Sequence, residues 1–267
     1  MLFIGLWLIN ATAVAESRWI SLSPHLTEIL FAVGAGDELV GVVEYSDYPQ
    51  QALAIARVGN SQQINLESLL ALNPTAVFAW ESGNGPELIQ QLRDLGVTVY
   101  AFEPGTLEAV ADSLRKIGNL TGHSGQGEAQ AERFEQRLQQ LRNSYQRRAP
   151  VSVFFQLSDT PYMTLNGDHV VSDVIALCGG HNIFADAPVL VPKISLESII
   201  ERQPEVIVTA LIEPQGQSWK QKWMNWPKLA AVRYHHLYAV HPDLLYRHSP
   251  RILDGAEQLC RYVDQAR

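Results

Sequence analysis

The chain has 267 residues, 46% hydrophobic and 18% charged, the balance of a soluble globular protein with ample core. That length accommodates two units of about 110 residues, each within the usual size of a single-core unit. The net charge of −8 argues against nucleic acid, which needs clustered Lys and Arg to displace counterions, and suits a basic protein partner.

The N-terminus runs through the apolar Leu2–Ile9, closes with small residues to Ala15, and offers Ala13-x-Ala15 as a cleavage site. Residues 1–15 therefore have the pattern of a secretory signal, although no basic residue precedes the apolar run, and are too short to span a bilayer. Export to the periplasm is expected, a buried N-terminal strand being the alternative. Trp19–Leu22 reads as a strand, and Ser23-Pro24 supplies an N-cap and first-turn proline for a helix through Phe31. Gly34-Ala35-Gly36 stops that helix, and Leu39–Val43 is the next strand. Asn65 caps a short helix, Leu66-Glu67-Ser68-Leu69-Leu70; Pro74 breaks the chain, and Ala76–Trp80 is a strand. Pro86 opens another helix to Leu95, Gly96 ends it, and Val97–Phe102 forms a strand. Alternating units with short apolar strands imply a parallel sheet covered on both faces.

The pattern changes at the centre. Phe134, Leu138, Leu141 and Tyr145 fall on one face of a run rich in helix formers, which reads as a long amphipathic helix over 123–148 with a solvated charged face. The second half restarts with strand Val151–Leu157, then a helix around Ser172–Leu177 that ends at Cys178-Gly179-Gly180. Leu196-Glu197-Ser198-Ile199-Ile200, Pro204 and Val206–Thr209 then repeat the earlier helix, break and strand 130 residues on. Strand Leu237–Val240 and a helix from Ser249-Pro250 to Val263 complete the chain. An internal repeat decides architecture before local signals do. The expectation is two similar α/β lobes with mainly parallel sheets, residues 16–122 and 149–267, joined by a single long α-helix, with a ligand cleft between them. One stiff connector restricts hinge motion.

Catalytic motifs are lacking. Neither G-x-x-x-x-G-K-[ST] nor H-E-x-x-H occurs, Gly83-Asn84-Gly85 lacks a third glycine, and Gly122-His123-Ser124-Gly125 fails the nucleophile-elbow spacing and reads as a loop. No enzyme, catalytic residue or protein-held metal is expected. The eight histidines form no set with metal-ligand spacing and read as surface or cap residues. Cys178 and Cys260 form an even pair, which in an exported protein points to a disulfide, with two buried free thiols as the alternative. A bridge closing so long a loop adds ~4 kcal/mol in the chain-entropy model. Tyr45-Ser46-Asp47-Tyr48-Pro49, Trp80–Gly85 and His241–Arg247 each follow a strand's carboxyl end, where open α/β sheets bind ligands. Their aromatics, Asp and Arg suit a large, partly apolar ligand with polar edges.

Taken together, Ser23-Pro24-x-x-Thr27-Glu28, Tyr45-Ser46-Asp47-Tyr48-Pro49, Asn65-Leu66-Glu67, Ala79-Trp80-x-x-Gly83-Asn84, Cys178-Gly179-Gly180-x-Asn182-Ile183-Phe184 and Ser249-Pro250-Arg251 resemble the periplasmic vitamin B12-binding proteins of cobalamin ABC importers. The resemblance covers nearly the whole chain beyond residue 15. It implies a monomer that holds cobalamin as cargo, without a cofactor of its own, and delivers it to a permease dimer in the inner membrane. It also implies ligand contacts from Tyr45, Trp80 and His25 in the first lobe and from Met163, Asp243, Leu244, Leu245, Tyr246 and Arg247 in the second. Cys178 and Cys260 match the family disulfide, and Glu67 and Glu197 match two glutamates that engage permease arginines. Three positions depart from the pattern: Ser61 and Val191 stand where the family has tryptophans or another aromatic, and Met163 stands for a phenylalanine. Each lost aromatic removes about 0.5–1.5 kcal/mol beyond its burial, which leaves an incomplete corrinoid such as cobinamide, haem or a ferric siderophore as alternative ligands. An exported two-lobed enzyme is the remote alternative.

Overall fold

The computed structural model describes residues 17–60, 63–212 and 215–267; the signal-like segment and Ser61 lie outside these. Two parallel sheets organise the chain. The first contains β1 (Trp19–Ser21), β2 (Leu39–Val42), β3 (Ala56–Arg57), β4 (Ala76–Trp80) and β5 (Val99–Phe102) in the order β3-β2-β1-β4-β5. The second contains β6 (Val151–Gln156), β9 (Gly180–Asn182), β10 (Val206–Ala210) and β11 (Leu237–Val240) in the order β11-β10-β6-β9. Between β6 and β9 lies a small antiparallel hairpin, β7 (Ser158–Asp159) with β8 (Tyr162–Met163).

The repeat extends to topology, because β2-β1-β4-β5 and β9-β6-β10-β11 are the same arrangement. Helices α1 (Pro24–Ala32) and α7 (Val170–Leu177) occupy matching crossovers, as do α2 (Leu66–Ala71) before β4 and α8 (Leu196–Arg202) before β10. The caps match as well: the Asn65 side chain accepts from the Ser68 N–H at 3.0 Å and that of Ser195 from the Ser198 N–H at 3.1 Å. Leu69 and Ile199 are fully buried, while Glu67 and Glu197 are exposed. Each helix then exits through a left-handed residue, Asn73 at φ 47° and Gln203 at φ 46°, directly before its proline.

The remaining helices are α3 (Glu81–Asn84), α4 (Pro86–Asp94), α5 (Leu107–Leu120), α6 (Ser124–Tyr145), α9 (Gln215–Trp223), α10 (Ala230–Arg233) and α11 (Ile252–Asp264). The connector is α6, starting at Ser124, so Ser124 and Gly125 are helical rather than loop. It runs antiparallel to α5, for which the sequence reading makes no provision. Gly118 and Gly127 bring the two backbones together: a Cβ on Gly127 would meet the Leu114 carbonyl oxygen at 2.8 Å. Arg115 of α5 pairs with Glu128 and Glu135 of α6 at 3.0 and 2.6 Å, and Arg137 of α6 pairs with Asp254 and Glu257 of α11 at 2.6 and 2.8 Å. Cys178, capping α7, is disulfide-bonded to Cys260 of α11.

Apolar packing explains how the lobes are held. One cluster occupies the outer face of the first sheet (Ile20, Leu69, Val77, Leu92) and another that of the second (Phe154, Ile199, Ile207, Trp223). The largest is shared, running from Phe78 of β4 through Leu114 of α5 and Phe134 and Leu138 of α6 to Phe155 of β6 and Leu259 of α11. The lobes are fused along this helical spine. No helix among the described residues is long and apolar enough to cross a membrane.

Candidate functional site

Loops at the carboxyl ends of both sheets carry the residues singled out in sequence. Tyr45 follows β2 at φ 65° and is 74% exposed. Trp80 ends β4, and its backbone N–H donates to Asn84 Oδ1 at 2.7 Å while Asn84 Nδ2 donates to the Leu22 carbonyl at 3.0 Å. The loop expected after β4 is therefore the helical turn α3, folded onto the indole. Gly83 permits this, since a Cβ there would lie 1.9 Å from the Trp80 ring. Glu103, at the end of β5, accepts from Trp80 Nε1 at 3.1 Å and from the Ser82 N–H at 2.8 Å, locking indole and turn together.

Trp80 packs edge-on against His25 of α1 at 5.2 Å and His248 at 6.3 Å. His25 and His248 lie 5.7 Å apart, and His169 lies 6.4 Å from His248. This corrects the surface-or-cap reading of the histidines. His169 and His241 are caps, accepting from the Val171 and Asp243 N–H groups at 3.1 and 3.3 Å, but His25 and His248 are buried where the lobes meet. Burial, reinforced by His248 and Arg247, pushes His25 well below the ordinary imidazole range. Burial also lowers His248, against the opposing pull of Glu103, and brings His169 down to about 4.

The stretch after β11 ties the second lobe to the first. Arg247 is buried, and its guanidinium pairs with Glu28 of α1 at 3.0 Å, Asp47 at 2.8 Å and Asp243 at 2.9 Å. Glu28 also accepts from Ser249 Oγ at 2.5 Å and Arg251 Nη1 at 3.0 Å, and the Arg251 guanidinium stacks 4.0 Å over Tyr48. Burial raises the Glu28 carboxyl above its usual range, with the Ser249 and Arg247 donors working against that. Arg247, expected at the ligand, is thus committed to three carboxylates and bridges the lobes. Leu245, on the same stretch, is fully buried in the shared core. Leu244, Tyr246 and Asp243 are half-buried on the same turn, with Tyr246 edge-on to Phe155 at 6.2 Å.

On the second lobe Met163 lies in β8, half-buried and bridged to Lys193. Val191 is exposed beside Val189 and Leu190. A pocket of 220 Å³ opens over the carboxyl ends of β6 and β10, lined by Gln156, Ser158, Asp159, Thr209, Trp219 and Lys222 among others. The sequence reading missed Gln156, Glu103 and the clasp role of Glu28. Trp219 and Trp223, one helical turn apart on α9, were the available signal for a side chain held between them. Among the described residues no group of three or more His, Cys, Asp or Glu is arranged to hold a metal ion.

Residues 20–244 match the family model described as periplasmic binding protein. This chain belongs to that family. It is 43% identical over 247 residues to the vitamin B12-binding protein of Vibrio cholerae, covering 92% of this chain and 88% of the relative. The crystal structure of the periplasmic vitamin B12 binding protein of Vibrio cholerae superposes with a TM-score of 0.86 at 43% identity, covering 94% of this chain and 97% of that one. A periplasmic haem-binding protein from Roseiflexus superposes with a TM-score of 0.83 at 26% identity, covering 94% and 100%.

Proposed function

We propose that this protein captures vitamin B12 between its lobes in the periplasm and hands it to an inner-membrane ABC importer, without covalent chemistry. The observation that carries the reading is the 43% identity, over 92% of the chain, to a protein named for vitamin B12 binding. The strand-end loops suit such a ligand: Tyr45 and Trp80 offer aromatic faces from the first lobe, and Met163, Asp243, Leu244 and Tyr246 offer mixed apolar and polar edges from the second. His25 supports Trp80 from below, and Arg247 positions the loop that bears Asp243 and Tyr246. Residues 1–15 act as the export signal, residues 16–122 and 149–267 as the lobes, and residues 123–148 as the link between them. The protein works as a monomer. Glu67 and Glu197, exposed on equivalent helices, are the contacts for arginines on a two-fold permease.

Calorimetric titration of the mature, ligand-free protein with cyanocobalamin, cobinamide and haem tests the reading. Saturable heat with a corrinoid is expected. No heat with either corrinoid overturns it, and heat with haem alone replaces it with a haem-binding role.

A further inference from the structure

We propose that the pocket over β6 and β10 is a subsite for a carbonyl-bearing arm of the ligand, with the side-chain amide of Gln156 as its donor; this rests on the corrinoid reading above. Gln156 ends β6 and is 3% exposed, yet lines the pocket. Its Oε1 accepts from Trp219 Nε1 and Trp223 Nε1, each at 2.8 Å. An indole nitrogen only donates, so these two bonds fix which end of the amide is oxygen. The amide Nε2 must then point away from the indoles, and among the described residues it has no partner. The backbone beneath is fixed too, because Thr209 Oγ1 donates to the Gln156 carbonyl at 2.9 Å.

The amide Nε2 is open to the pocket, where it is free to donate to whatever acceptor enters. The pocket therefore presents an oriented N–H pair, with the Lys222 ammonium at its rim paired to Asp159. The Gln156 N–H pair complements an acceptor, and the pocket is too small for a tetrapyrrole. A corrin ring carries acetamide and propionamide arms around its rim, and their carbonyl oxygens are acceptors on flexible stems. The pocket shares the sheet edge that carries Asp243 and Tyr246, so an arm reaches it while the ring stays between the lobes.

The deciding variant is Gln156→Glu. One carboxylate oxygen still accepts from both indoles, so the fold is retained, while the other turns the pocket's donor into an acceptor. Calorimetry with cyanocobalamin at neutral pH is expected to show affinity weakened about tenfold or more, the scale of one lost hydrogen bond replaced by repulsion. Acidification, which protonates the carboxyl and restores a donor, should recover affinity in Q156E relative to the unmodified protein. If Q156E does not give a native thermal transition, Ser218→Phe decides instead: it sits on the exposed face of α9 and fills the pocket from outside. Unmodified protein that binds cyanocobalamin while the folded variant binds it equally overturns the subsite alone. Failure of the unmodified protein to bind any corrinoid overturns the function and the subsite together.

Discussion

Glu28 sits on the second turn of α1, yet its hydrogen-bond donors come from residues more than 200 positions later in the chain. Replacing it with alanine leaves Arg247 buried with only Asp47 and Asp243, so E28A should lose about 3 kcal/mol of stability in urea unfolding, the low end for a broken buried pair. An unchanged midpoint would show that the clasp contributes nothing. The histidines beside it predict an acid-sensitive fold. Their folded-state values lie below the ordinary imidazole value of about 6.5, so the unfolded chain takes up protons first, and the stability they contribute is intact above that pH and lost as pH falls below it, for His169 as pH falls through about 4. The melting temperature should drop as pH falls from about 6.5 to 4.5, and the double variant His25→Gln/His248→Gln should flatten the decline. Strand-end position placed Trp80, Asp243 and Tyr246 among the candidates, because the carboxyl edge of a parallel sheet is visible in a strand pattern. It did not separate Arg247 or Leu245 from them, since which side of a turn faces inward depends on a lobe far away in sequence.

At the level of elements, most of the architecture was legible because apolar runs, caps and prolines coincide. The cap, break and strand of α2–β4 and α8–β10 agree within a residue. The miss of α5 was avoidable, as Thr106 followed by Leu107, Val110, Ala111, Leu114 and Ile117 is a capped helical stripe. Strands β3 and β9 and the β7–β8 hairpin were not legible: two or three residues carry no periodicity, and β9 begins in glycine. The α5–α6 crossing makes a separate prediction. Gly127→Ala forces a methyl against the Leu114 carbonyl and should destabilise by about 1–3 kcal/mol in denaturant unfolding. Gly125→Ala, on the same helix with nothing near its Cβ, should instead stabilise by about 0.5–1 kcal/mol. Equal effects would mean that the close approach is unimportant. Likewise, removing both Cys178 and Cys260 should cost up to about 4.5 kcal/mol, the chain-entropy value for cross-linked residues 82 apart.

For the whole molecule, the repeat matters because it places two equivalent acidic helices on two equivalent lobes. The double variant Glu67→Ala/Glu197→Ala should lose most of its association with the permease while keeping corrinoid affinity, read by pull-down on reconstituted transporter beside calorimetry. Undiminished association would remove these residues from docking. A shared core and a buried carboxylate clasp also leave little room for the lobes to swing. Small-angle scattering should therefore give nearly the same radius of gyration with and without ligand, and a large contraction would refute that rigidity. The clasp has a consequence for release. A jaw whose gape is already set expends little binding energy on closing, but it also has no spring with which to eject its cargo. Under the proposed docking, unloading then requires work from outside, supplied where the importer would hold α2 and α8.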